Sequence, residues 1–227
     1  MLSEIKKISS LLLSVAFSSI GFIASITVTV LAAREVSSNP LFVGFPNAVG
    51  VGGAVLGTRM IYLISKNNSQ LNALAFTFLI GAFGGAIMFY SLIVDSFVLL
   101  LFGAFILGIG QSATLQTRYA ASFVASEKFK ATALSLAVWF SVFGSVFGPR
   151  MVGSYSNFFE NIFNSELIVG YVIALVGMLF AASSLFIFTS KKSILRSPSN
   201  LESESNNQNS NKKNGNLLSL LLVLNHF

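Results

Sequence analysis

Gly144-Ser145-Val146-Phe147-Gly148-Pro149-Arg150-Met151-Val152-Gly153 is the stretch on which the reading of this chain turns. It lies inside Ala131–Phe159, a run whose only charge is Arg150. That run exceeds the ~20 residues a helix needs to cross ~30 Å of hydrocarbon. Gly144 and Gly148 stand one helical turn apart on one face, where a neighbouring backbone can come close. Pro149 removes a backbone donor and crowds the preceding turn, so a bend is expected there. A G-x-x-x-G pair alone is as readily an ordinary packing seam. The added Gly-Pro pair and Gly153 make the pattern more specific.

Working outward, five more apolar segments of similar length appear: Ile8–Ala33, Leu41–Ile64, Leu71–Val94, Phe97–Ala125 and Leu167–Thr189. Their length, without the short alternating segments of a barrel, selects helices over strands. The fold class expected is an all-α membrane protein with six transmembrane helices, occupying residues 1–190. The connections Arg34–Pro40, Ser65–Gln70, Asp95–Ser96, Ser126–Lys130 and Glu160–Glu166 are short. Sequential helices are therefore expected to be antiparallel neighbours. Residues 191–216 are rich in Ser, Asn, Lys and Glu, which predicts a disordered polar linker. Residues 217–227 form a short apolar tail, read as an interfacial segment or as the start of a seventh helix left incomplete.

Composition agrees with this class. Hydrophobic residues are 54% of the chain and charged residues 10%, against about 25% charged in a soluble domain. The apolar run after Lys6 and Lys7 is too long for the ~7–15 residues of a secretory signal, so it is read as a retained first helix. Cysteine is absent, which removes disulfides, thiolate metal sites and cysteine nucleophiles. No metal site and no cofactor are expected. The net charge of +6 comes without a basic patch, so no nucleic-acid partner is expected. Its origin lies in the distribution of Lys and Arg. Lys6, Lys7, Lys66, Lys128, Lys130, Lys191, Lys192 and Arg196 fall on one side of the alternating connections, and Arg34 with Glu35, Asp95, Glu160 and Glu166 on the other. The positive-inside rule then places both termini and the inner loops at Lys66 and at Lys128–Lys130 in the cytoplasm of a cell-membrane protein.

In the fourth segment Gln111, Thr114, Arg118 and Ser122 recur at intervals of three and four, forming one polar stripe. Polar groups facing lipid are costly, so the stripe should face a cavity or another helix, and it is the candidate substrate pathway. Arg118 has a second reading: ~32 Å along its helix, it could snorkel to the inner surface. For Gln111 the competing reading is an interhelical hydrogen bond worth ~1 kcal/mol. Ser14, Ser18, Gly21 and Ser25 share a face of helix one. Gly50, Gly53 and Gly57 do so in helix two, and Gly81, Gly84 and Gly85 lie in helix three; close helix packing is the expected role of all of these.

Gly144-x-x-x-Gly148-Pro149 with Gly153 resembles the fifth-helix signature of the major facilitator superfamily, often associated with its antiporters. Gly108-x-Gly110-Gln111, Gln116-Thr117-Arg118-Tyr119-Ala120-Ala121 and Ser126-Glu127-Lys128-Phe129-Lys130-Ala131 are similar to the fourth helix, basic inner loop and fifth-helix start of those transporters. The chain departs from the family in the loop after helix two. There Ile61–Gln70 keeps Lys66 but lacks the usual Gly, Asp and trailing basic residues.

The resemblance covers residues 8–190, one six-helix half of the family's fold. It implies a secondary transporter working by alternating access, with efflux or antiport of a small solute and a coupling ion. The expected partners are the lipid bilayer, the solute, and a second transporter half or a second copy of the chain. The alternative is a non-transporting membrane scaffold or an inactive truncated product. No enzyme is expected: the spans hold no acidic pair, no histidine pair and no Gly-x-Ser-x-Gly, and the lone His226 lies in the tail.

Overall fold

The computed structural model describes residues 2–37, 40–67, 69–163 and 165–191. The expected linker 191–216 and tail 217–227 lie outside the described residues, apart from Lys191 at the end of the last helix. The described residues hold six long helices: α1 (Leu2–Val36), α2 (Phe45–Asn67), α3 (Gln70–Ile93), α4 (Phe97–Val124), α5 (Lys130–Phe163) and α6 (Ile168–Lys191). Each contains a stretch long and apolar enough to cross a membrane, and no strand occurs among the described residues.

The helix ends follow local chemistry. α2 starts at Phe45 rather than at Leu41, because Pro46 fits its first turn, where no N–H is needed, and Pro40–Phe42 form a short 3-10 turn instead. α5 runs to Phe163, so Glu160 is helical and the expected connection from that residue shortens. Pro149 stands inside α5 without ending it, and removes the donor that the Ser145 carbonyl would otherwise accept. α3 and α4 are joined by the tightest turn. Asp95 adopts the left-handed φ of 50°; Ser96 N donates to Ser91 O at 3.0 Å, and Ser96 Oγ caps α4 by accepting from Leu99 N at 3.4 Å.

Sequential helices are not generally neighbours, contrary to expectation. Of the consecutive pairs only α3–α4 packs along its length; α1 and α2 barely touch, and α2–α3 and α5–α6 touch little. A short connection fixes the reversal of direction but not the contact, because the small-residue faces select other partners. Gly53 and Gly57 of α2 fit against Phe105, Ile109 and Ser112 of α4, and Gly144 and Gly148 of α5 against Ser19, Ile20 and Ala24 of α1. In both cases the paired helices run parallel, since contacts advance together along both chains. The other close pairs are antiparallel. Gly81 meets Gly110 and Gly84 meets Leu107 between α3 and α4, while Gly21 meets Ala174 and Gly170 meets Val28 between α1 and α6.

These contacts map onto themselves when α1, α2 and α3 are exchanged with α4, α5 and α6. Thus α1–α5 mirrors α4–α2, α1–α6 mirrors α4–α3, and α3–α6 and α1–α4 map onto themselves. Because α1 and α4 run in opposite directions, the bundle is a pair of inverted three-helix repeats. α3 and α6 meet on one side and α1 and α4 on the other. α2 and α5 are the least buried helices and flank the α1–α4 face. Lys66 and Lys128 are exposed at one end of the bundle, Asp95, Glu160 and Glu166 at the other.

Candidate functional site

Among the described residues, clefts between the helices include three of interest. One, about 360 Å³, lies between α1, α5 and α6 and is lined mostly by apolar side chains such as Phe17, Val169, Val172 and Phe180. Tyr155 is the one side chain with a hydroxyl among the residues that line it. The second, about 260 Å³, lies between α1, α2 and α4, with Ser25, Thr29, Asn47 and Gln111 among its walls. Here the hydroxyls are already engaged: Ser25 Oγ donates to Phe22 O and Thr29 Oγ1 to Ser25 O, both at 2.7 Å.

The third is a crevice of about 100 Å³ where α1, α4 and α5 meet. Gln111, Thr114 and Arg118 of the helix-four stripe all line it, opposite Ser19 of α1 and Ser141 and Ser145 of α5. Ser122 does not line it; its hydroxyl donates to Tyr119 O at 2.7 Å. Gln111 and Phe22 line both the second cleft and the crevice, so the two adjoin along α1 and α4.

The crevice also collects unsatisfied polar atoms. Ser19 Oγ, Thr114 Oγ1 and Arg118 Nε are each buried without a hydrogen-bond partner. Many other helical hydroxyls bond their own backbone: Thr117 Oγ1 donates to Ala113 O at 2.7 Å and Ser18 Oγ to Val15 O at 3.2 Å. Thr114 and Ser19 do not. Buried polar groups are normally paired, so three unpaired atoms around one small void set this crevice apart. The void has room for several waters or a small polar group. Arg118 lines the crevice one helical turn after Thr114, and its Nε is buried there.

The signature glycines of α5 divide. Gly144 and Gly148 are buried against α1, and their packing brings Ser141 and Ser145, on the same helical face, to the crevice. Gly153 is exposed with nothing within 4 Å of a Cβ placed there, so it takes no part in that seam. Of the loop lysines singled out from sequence, Lys130 pairs with Glu127 at 2.7 Å; Lys66 and Lys128 are exposed. Ser19, Ser141 and Ser145 were missed from sequence, although Ser141 and Ser145 interleave with Gly144 and Gly148 at helical spacing.

The chain is 30% identical over 175 residues to the uncharacterized MFS-type transporter YdeG of Bacillus subtilis, a match covering 77% of this chain and 41% of the relative. It is also 30% identical over 183 residues to the uncharacterized MFS-type transporter YddS of the same organism, covering 81% and 42%. The matches thus span about two fifths of the length of these curated relatives. No family model and no solved structure matches the chain.

Proposed function

We infer that this chain, a partial member of the major facilitator superfamily by its similarity to the two MFS-type transporters, supplies one wall of a path by which a small solute crosses the cell membrane. The observation that carries the reading is the crevice at α1, α4 and α5, where buried hydroxyls and a guanidinium nitrogen converge unpaired. Such groups inside a membrane bundle are expensive unless something pairs with them. A passing polar solute would do so.

Inverted three-helix repeats support alternating access, in which bundles rock around a site near mid-membrane. Gln111, Thr114 and Arg118 are the pathway residues, with Ser122 outside the crevice. Gly144, Gly148 and Pro149 shape the α5 wall, and a second half or second copy of this chain closes the opposite side. Efflux or antiport with a coupling ion is the mode that the fifth-helix pattern favours. Both termini lie in the cytoplasm with the Lys66 and Lys128–Lys130 loops.

The test uses the absence of cysteine. Ser145→Cys should react with an impermeant thiol reagent from either face of the membrane, in right-side-out and inverted vesicles alike. Reaction from one face only would contradict alternating access. Chain that is monomeric by cross-linking should fail to move solute against a gradient, and success would overturn the need for a second half.

A further inference from the structure

The charges and donors around the crevice are one-sided. Arg118 is the only charged side chain that lines it, and no carboxylate lines it or the adjoining cleft. Among the described residues the acidic side chains keep to the ends of the bundle: Glu35, Asp95, Glu127, Glu160 and Glu166 all sit at helix ends or in connections. Ser19 and Thr114 are each 4% exposed, yet neither hydroxyl bonds the backbone or another side chain. The hydroxyls of Ser141 and Ser145, by contrast, donate to Ala137 O at 3.0 Å and to Ser141 O at 3.3 Å. What remains unused is a set of donors: the Arg118 Nε–H, the two hydroxyls and the Gln111 amide.

A carboxylate or phosphate oxygen accepts hydrogen bonds and carries the charge that an unpaired guanidinium lacks. A cationic solute would be repelled, and a neutral one would leave the guanidinium uncompensated. We propose that the crevice takes the anionic group of a small solute, a carboxylate or phosphate, between Arg118, Thr114 and Ser19. This assignment rests on the solute path inferred above.

The experiment places Ser145→Cys in the cysteine-free chain, in phosphatidylcholine nanodiscs. Methanethiosulfonates carrying a sulfonate, a trimethylammonium or no charge are compared, each rate normalised to free 2-mercaptoethanol. The normalised sulfonate rate should exceed the trimethylammonium rate about tenfold, as expected beside a half-buried positive charge in a narrow crevice. Benzoate should slow the reaction and benzamide should not. Arg118→Gln should abolish both effects. Thr114→Val, which preserves shape, should keep the charge preference while weakening benzoate protection, so the outcome does not depend on Arg118→Gln folding.

Equal sulfonate and trimethylammonium rates, with the neutral reagent reacting readily, would overturn the anionic assignment and leave the solute path standing. Failure of the neutral reagent at position 145 would remove the aqueous crevice, and the solute path with it. Slowing by added phosphatidylglycerol in the absence of benzoate would assign the crevice to a lipid headgroup and overturn the solute proposal.

Discussion

Gly144 of α5 lies so close to Ser19 of α1 that a Cβ added to the glycine would overlap the serine Cβ and stand 2.8 Å from the Ile20 amide nitrogen. The seam that joins α5 to α1 is therefore also what presents Ser19 to the crevice. Gly144→Val should push the two helices apart and lower stability by about 1–3 kcal/mol, the usual cost of overpacking. Gly153→Ala, with open space around it, should be neutral or slightly stabilising. Thermal unfolding in nanodiscs separates the two; equal losses would show that the α1–α5 seam is not tight.

The turn between α3 and α4 depends on Asp95 holding a left-handed backbone. Asp95→Gly should fold at least as stably as the parent, since glycine adopts that conformation freely. Asp95→Val should lose about 1–2 kcal/mol. The same unfolding measurement checks both, and a stable valine variant would mean the turn has another conformation.

Thr114 lines the crevice with its hydroxyl buried. Its buried hydroxyl has no partner, so Thr114→Val should leave stability unchanged or raise it by about 1 kcal/mol. Thr117→Val, which removes a bonded hydroxyl, should gain nothing. Chemical denaturation of both variants decides the matter; a clear loss for Thr114→Val would reveal a partner for that hydroxyl.

Much of the fold could be read from the chain, because long uncharged runs have one solution in lipid. The six spans and the small-residue faces of α1, α2 and α3 were legible in this way. Helix adjacency was not. Which glycine face meets which partner depends on three-dimensional fit, so the parallel α2–α4 and α1–α5 pairs had no signal in connection length. Spacing put Gln111, Thr114, Arg118 and Ser122 on one face of α4; the first three line the crevice and Ser122 does not, because helical periodicity cannot say where a neighbouring helix stops. Ser19 was hidden for a related reason. It adjoins Ser18, but only the packing of Gly144 decides which of the two faces the crevice.

Orientation in the membrane rests on charge. Lys66 and Lys128 mark one end of the bundle, Asp95, Glu160 and Glu166 the other. Single cysteines at Ser96 and Asn161 should be labelled from outside intact cells, and one at Ser126 only after permeabilisation. Labelling of position 126 from outside would invert the orientation.

The most direct test of the solute path is the pattern of water access along α4. Gln111, Thr114 and Arg118 line the crevice, while Ala113 and Thr117 are fully buried against other helices. Successive residues turn by ~100° and rise ~1.5 Å, so 113 against 114, and 117 against 118, sample different directions at nearly the same depth. In folded protein in a bilayer, cysteines at 111, 114 and 118 should react with a small water-soluble thiol reagent, and those at 113 and 117 should react slowly. Reaction at 118 with protection at 111 and 114 would contradict the account, leaving Arg118 as a side chain that merely reaches the inner surface.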